Sequence, residues 1–407
     1  MGLTLFTDAR LACPASGLST GSLLVDGERI AAVGLVEAPA DATIVTLRGA
    51  TLAPAIIDLA VFAVDKAACA AGGIARVALM PDQAPVLDDP GIIRRAALMG
   101  KPELWVHPLA AATQGLAGTE LAEMAIAAEA GAKAVATGRR WIASTGVMRR
   151  VLAYAADLGL TVIMHAEDAG LVGDAVATEG ETATRLGLPA APAAAEALAV
   201  ARDLMLAELT GAHIHFRQLT TAAAFDLVRR AKARGVRVTC GITPPHLLLS
   251  DNAVSDFRTF ARLSPPLRDE ADRQAARSAL VDGTIDVLSS GHDPRGPEEK
   301  RLPFADAAPG AAGAETLLAL GLGLVRDGLI GLDRLFALLA ANPARILGLD
   351  TGTLAPGQPA DLVAFDGESP WQIVGDRLVA HAGNTPFDGL PVQGRVTGLW
   401  KGGQRVG

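Results

Sequence analysis

The residues with the widest chemical range in this chain are its histidines, and their surroundings decide what they can do. His165 opens the run His165-Ala166-Glu167-Asp168, His246 closes Thr243-Pro244-Pro245-His246, His292 precedes Asp293, and His213 and His215 flank a single residue. A catalytic zinc ordinarily takes three protein ligands and leaves one position open for water. Without correctly spaced partners, His213, His215, His246 and His292 read as hydrogen-bonded polar groups, and so does His165 at a strand end. The doublets Arg139-Arg140 and Arg149-Arg150 read as solvated, with a role facing a substrate tunnel or a partner as the sharper alternative. Ala71-Gly72-Gly73 and Ala311-Ala312-Gly313 could hold an anion on backbone N–H groups. Tight packing between strand and helix is the reading preferred for both.

Those side chains need elements to carry them. Apolar segments at 52–61, 76–80, 104–108, 133–137, 161–165, 213–219, 237–242 and 285–290 alternate with alanine-rich stretches of helical period, the pattern of βαβ units and a parallel sheet. Val147, Met148, Val151, Leu152 and Ala155 recur at three- and four-residue steps while Arg149 and Arg150 fall on the other face, as in a helix that coats a sheet. Eight such units predict an α/β fold of the (β/α)8 TIM-barrel type, with its site at the C-terminal ends of the strands. The first fifty residues instead read as short strands, with a hairpin turn expected at Asp26-Gly27. After Asn342-Pro343-Ala344-Arg345, the residues Gly352, Pro356, Gly357 and Pro359 punctuate a return to short strands at 362–365 and 394–400. We therefore expect a barrel over 52–345, inserted into a small β-sandwich domain built from 1–51 and 346–407.

Composition narrows the classes of function. A formal net charge of −8 and no basic run disfavour a nucleic-acid surface, which needs clustered Lys and Arg. No apolar run reaches the ~20 residues that span a bilayer, and the N-terminus lacks the basic stretch and apolar core of a secretory leader. Cys13, Cys69 and Cys240 are odd in number and far apart, which predicts free thiols in a reducing cytoplasm.

Several segments together resemble the dihydroorotase family of the amidohydrolase superfamily. They are Leu52-Ala53-Pro54-Ala55-Ile56-Ile57-Asp58, Leu79-Met80-Pro81-Asp82, His165-Ala166-Glu167-Asp168, Thr243-Pro244-Pro245-His246-Leu247-Leu248-Leu249, Pro265-Pro266-Leu267-Arg268, Asn342-Pro343-Ala344-Arg345 and Asn384-Thr385-Pro386-Phe387. The resemblance covers nearly the whole chain in order. It implies reversible closure of carbamoyl aspartate to dihydroorotate, with Zn²⁺ polarising an amide and supplying hydroxide.

The same resemblance places demands on particular positions, and most are unmet. Where it implies a His-x-His pair after Ile57-Asp58, the chain has Ala60-Val61-Phe62. Val64 stands where it implies a substrate-binding arginine, and Asp82 where it implies an asparagine, putting a negative charge where a dianionic substrate would sit. The acidic position after the fourth strand falls in Ala136-Thr137-Gly138-Arg139-Arg140, and Lys133, read first as a junction lysine reaching solvent, is the candidate for the carboxylated lysine of other relatives. His165 keeps its ligand position. Gln218 replaces a ligand histidine, Gly291 the proton-shuttling aspartate, and Arg295 a loop histidine. Strand parity would set His215 and Gln218 on opposite faces, so that neither could replace the other.

His165 and Lys133 are thus the surviving candidate ligands, too few for a catalytic zinc. The expectation is a chain with no catalytic residues, no metal and no other cofactor. The resemblance implies that it serves as a structural partner of the aspartate carbamoyltransferase catalytic chain in pyrimidine biosynthesis, as a homo- or hetero-oligomer. The competing expectation is an active cyclic amidohydrolase with zinc held by His165 and rearranged groups such as His292 and Asp293. A third is a sensor that keeps the barrel mouth as a binding cup.

Overall fold

The computed structural model describes residues 2–406. Eight strands follow one another in chain order around a barrel: β1 (Ile56–Val61), β2 (Ile74–Leu79), β3 (Trp105–Ala111), β4 (Ala134–Ala136), β5 (Val162–Met164), β6 (Ile214–Phe216), β7 (Val238–Ile242) and β8 (Val287–Leu288). Each pairs in parallel with the next. Side chains alternate in direction along a strand, so the apolar residues divide into two sets. Ile57, Ala78, Leu109, Ala136, Ile163 and Val287 pack together inside the barrel. Ile56, Val77, Ala110, Val135, Val162 and Ile214 belong to the layer shared with the helices. Ala344, Ile346 and Leu347 join the inner set, and Thr161 Oγ1 donates to the Ile346 carbonyl at 2.9 Å. The 342–347 segment therefore floors the N-terminal end of the barrel, leaving the C-terminal end as its mouth.

Among the described residues no ladder joins β8 to β1. The seam is closed by a side chain: the Ser290 amide donates to Asp58 Oδ1 at 2.9 Å, and Ser290 Oγ bonds Asp58 Oδ2. One backbone bond, Phe62 N to the His292 carbonyl at 2.9 Å, completes it.

The coating helices form as their sequences dictate. Helix Thr145–Asp157 starts at Ser144, whose hydroxyl accepts from the Val147 amide, and buries Val147, Met148, Val151, Leu152 and Ala155. Helix Ala222–Ala233 is capped in the same way by Thr221.

The stretch expected as one strand over 52–61 is two. Thr51–Pro54 pairs with Leu3–Cys13 and Leu362–Gln372 in the small sheet, and the chain enters the barrel only at Ile56. Pro54 cannot donate a ladder hydrogen bond, which suits it to the end of a strand. Both chain ends build this eight-stranded sheet. It is one continuous sheet that curls on itself: Phe6 and Trp400 lie three strands apart along it, yet their rings meet edge to face at 4.9 Å. The hairpin expected at Asp26-Gly27 forms one residue later, with Asp26 pairing Arg29 and Gly27 at φ 58°. Cys13, Cys69 and Cys240 are free and buried. Among the described residues no helix is long and apolar enough to cross a membrane.

One polar group inside the barrel links the fold to pH. His215 is 1% exposed and hydrogen-bonds Thr239 Oγ1 through Nδ1 at 2.9 Å. Burial, helped by the nearby positive charges of His213, Lys232 and Arg217, pushes its pKa from 6.5 down to about 3. Unfolding lets the ring bind a proton that the folded state refuses, so its contribution is present above 6.5 and is lost as pH falls toward 3. Replacing His215 by Asn should make stability less pH-dependent in that window, by about 1.4 kcal/mol per pH unit. Urea denaturation at pH 7 and pH 5 measures this; parallel pH dependences in the two proteins would refute it.

Candidate functional site

The loops after the strands converge on a cup at the barrel mouth with a volume of about 190 Å³. From β1 comes Phe62, 9% exposed. It follows Ala60, a non-glycine residue at φ 73° inside an irregular stretch of the β1–β2 pairing. The backbone is thus strained at the position where the resemblance implies the first histidine.

The loop after β4 supplies Arg139. Its guanidinium lies 3.7 Å from the Phe62 ring centroid and makes a 2.6 Å ion pair with Asp293. Arg217, following β6, lies 5.1 Å from the same centroid. The negative face of an aromatic ring attracts cations, so a phenyl group that cannot bind a metal here gathers two guanidinium groups. Arg139 is therefore built into the cup, contrary to the solvated reading, whereas Arg140 is exposed on the rim.

His165 follows β5. Its Nδ1 accepts from Arg217 at 3.2 Å, and its Nε2 donates to Glu167 at 3.2 Å. Glu167 also pairs with Arg268 at 3.0 Å. Burial alone would raise the Glu167 pKa, but the His165 bond and the Arg268 charge prevail and hold it at about 2. Arg268 further bonds Thr220 Oγ1 at 2.9 Å and Thr178 Oγ1 at 3.0 Å. Glu196 accepts from the amides and hydroxyls of both Thr220 and Thr221. This buried network fixes the ends of β5 and β6 relative to each other.

Gln218 donates to His246 Nδ1 at 2.7 Å, while His246 Nε2 donates to the Pro265 carbonyl at 3.1 Å. The parity argument for His215 fails because regular β6 ends at Phe216. Gln218 lines the cup, and His215 lies deeper on the inner side, beside Gly241. His213 meets Thr161 Oγ1 at 3.1 Å, near the floor.

His292 turns away from the cup. Its Nδ1 accepts from the Gly313 and Ala314 amides at 3.3 Å, and its Nε2 faces Asp65 at 3.7 Å. Those Gly313 and Ala314 amides thus serve a histidine rather than an anion. A Cβ on Gly72 would strike the Ala314 carbonyl, and one on Gly313 the Ser290 carbonyl, so both turns are points of tight packing. Asp82 accepts from the Arg139 amide at 2.9 Å and does not line the cup, contrary to its expected place facing a substrate. Val64, at the expected substrate-arginine position, packs against the helix-side core. Lys133 is exposed at the start of β4, roughly 13 Å along the strand from Thr137. It lies at the floor end, which corrects its candidacy as a ligand.

The donor set does not fit a zinc ion. Ala60, Phe62 and Gly291 offer no donor side chain, Gln218 is engaged with His246, and Asp293 is shared between Arg139 and Arg295. Among the described residues no three His, Cys, Asp or Glu side chains form a metal-holding group. Both His165 nitrogens are occupied, so the cup presents cations rather than a free base. Sequence reasoning did not single out Arg217, Glu167 or Arg268 for a role. Glu167 and Arg268 lie in segments that carry the family resemblance, and nothing local distinguishes Arg217.

Comparison with known proteins agrees with this architecture. The amidohydrolase family pattern matches residues 110–406. A dihydroorotase of Geotalea daltonii is 40% identical over 390 residues, covering 92% of each chain. A dihydroorotase-like protein of Pseudomonas aeruginosa is 39% identical over 407 residues, covering 95% of each. Among solved structures, the L-hydantoinase (dihydropyrimidinase) of Arthrobacter aurescens superposes with a TM-score of 0.89 over 100% of this chain and 96% of its own, and at 22% identity this similarity speaks to fold alone. With a barrel, a two-ended sheet and full-length relatives of this kind, the chain belongs to the amidohydrolase family, on its dihydroorotase branch.

Proposed function

We propose that this chain is a non-catalytic dihydroorotase homologue that acts in the cytoplasm as a structural partner of the aspartate carbamoyltransferase catalytic chain. The observation that carries the reading is Phe62 with Arg139 stacked on it at 3.7 Å. A guanidinium occupies space beside the position where a ligand histidine is implied, and a cation there opposes a divalent metal electrostatically. The barrel fold is kept, and a seam and a buried ion-pair network hold it together, while Ala60, Phe62 and Gly291 at the implied ligand positions cannot bind a metal, as expected when shape rather than turnover is retained. The transferase itself comes from the family resemblance.

The surface supports a role in assembly. On helix Ala194–Thr210, Leu198, Met205 and Leu209 are 53%, 71% and 70% exposed. Their spacing sets them on one face of the helix, where an apolar stripe of this kind suits a protein contact.

Two outcomes are expected. Chain expressed with added zinc and desalted should carry far less than one zinc per chain by elemental mass spectrometry and should not open dihydroorotate; about one tightly held ion with ring opening would establish the active amidohydrolase instead. Mixed at micromolar concentration, the chain and the transferase should co-elute from a sizing column. The double variant Met205→Asp/Leu209→Asp should keep its circular dichroism and elute apart from the transferase. Separate elution of the unmodified proteins would remove the partnership.

A further inference from the structure

The cup contains a cation with no carboxylate in direct contact. Arg217 is 5% exposed, and its N–H groups find only two neutral acceptors, Gln218 Oε1 at 3.4 Å and His165 Nδ1 at 3.2 Å. Its Nε has no partner at all. Of the carboxylates around it, Glu167 pairs with Arg268 and His165, and Asp293 with Arg139 and Arg295; Asp82, bonded through Oδ1 to the Arg139 amide, acts on Arg217 through its charge without a direct bond. A guanidinium taken out of water without a carboxylate is costly, and folds rarely retain one idle.

We propose that the barrel mouth binds a small oxyanion, a carboxylate or phosphate group, on Arg217. Arg139 and Arg140 add positive charge at the rim. Ser264 lines the same cup and offers a hydroxyl donor, while Phe62 and Leu263 provide apolar wall for a short carbon body. The fork of a guanidinium matches the paired oxygens of either group. Burial has already lowered the Arg217 pKa to about 10, which leaves the group charged at neutral pH. The cup thus reverses the charge logic implied by the family resemblance: a fixed protein cation receives an anion where protein ligands would receive a metal.

The test uses the chain alone, so its result is independent of the transferase partnership, and neither probe can be hydrolysed. Thermal unfolding is followed against sodium phosphate and sodium malonate, with sodium chloride holding ionic strength constant, and affinities come from titration calorimetry. A saturable rise in Tm is expected with at least one probe. Phosphate alone identifies a phosphoryl ligand, malonate alone a carboxylate, and both a general oxyanion site. Arg217→Met should weaken binding at least tenfold while its ligand-free Tm equals or exceeds that of the unmodified chain, because an uncompensated buried charge is gone. Arg217→Lys keeps the charge but loses the fork and should weaken binding several-fold. No saturable response beyond chloride would overturn the proposal, as would unchanged affinity in the Met variant or, should that variant not fold, in the Lys variant.

Discussion

A single buried carboxylate closes this barrel. Asp58 is fully buried, and burial raises its pKa, yet it holds both the amide and the hydroxyl of Ser290 across the gap where β8 and β1 form no ladder. An unpaired sheet edge inside a fold leaves backbone donors and acceptors unsatisfied. Here one side chain and one backbone bond bridge that gap. The elements on either side carry Phe62 and Asp293, the two groups that Arg139 touches, so the composition of the mouth depends on how this seam is sewn.

A second constraint is electrostatic. Buried charges persist when each is paired and hydrogen-bonded, and the mouth meets that requirement almost everywhere. Arg268 is surrounded by Glu167, Glu196 and two threonine hydroxyls. Arg139 has Asp293 and a phenyl face. Arg217 has only neutral hydrogen-bond partners and a share in the same phenyl ring. A buried guanidinium with an unpartnered Nε, facing the concave end of the barrel, points to a ligand there.

Much of the fold was legible because alternating periodicities are local. Apolar segments near all eight strands announce themselves, and the helix at 145–157 could be read to the residue on its buried face. What misled was also local. The run through 52–61, apolar but for Asp58, concealed a passage between two sheets, since apolar residues stand on both sides of Ala55. Parity placed His215 and Gln218 on opposite faces because it assumed a strand that in fact stops at Phe216. Lys133 was a ligand candidate through the resemblance alone, and it stands just before β4, out of reach of a site at the C-terminal strand ends.

By itself the sequence determined the class of fold, the family, and the absence of metal-binding side chains at Ala60, Phe62 and Gly291, because each of these follows from residue identity and order. Tertiary structure decided what took their place. Phe62, Arg139, Arg217 and Asp293 come from four different strand ends, separated by up to 231 residues between Phe62 and Asp293. Pairing among charges so distant in the chain is set by how the barrel closes, and no local pattern encodes it.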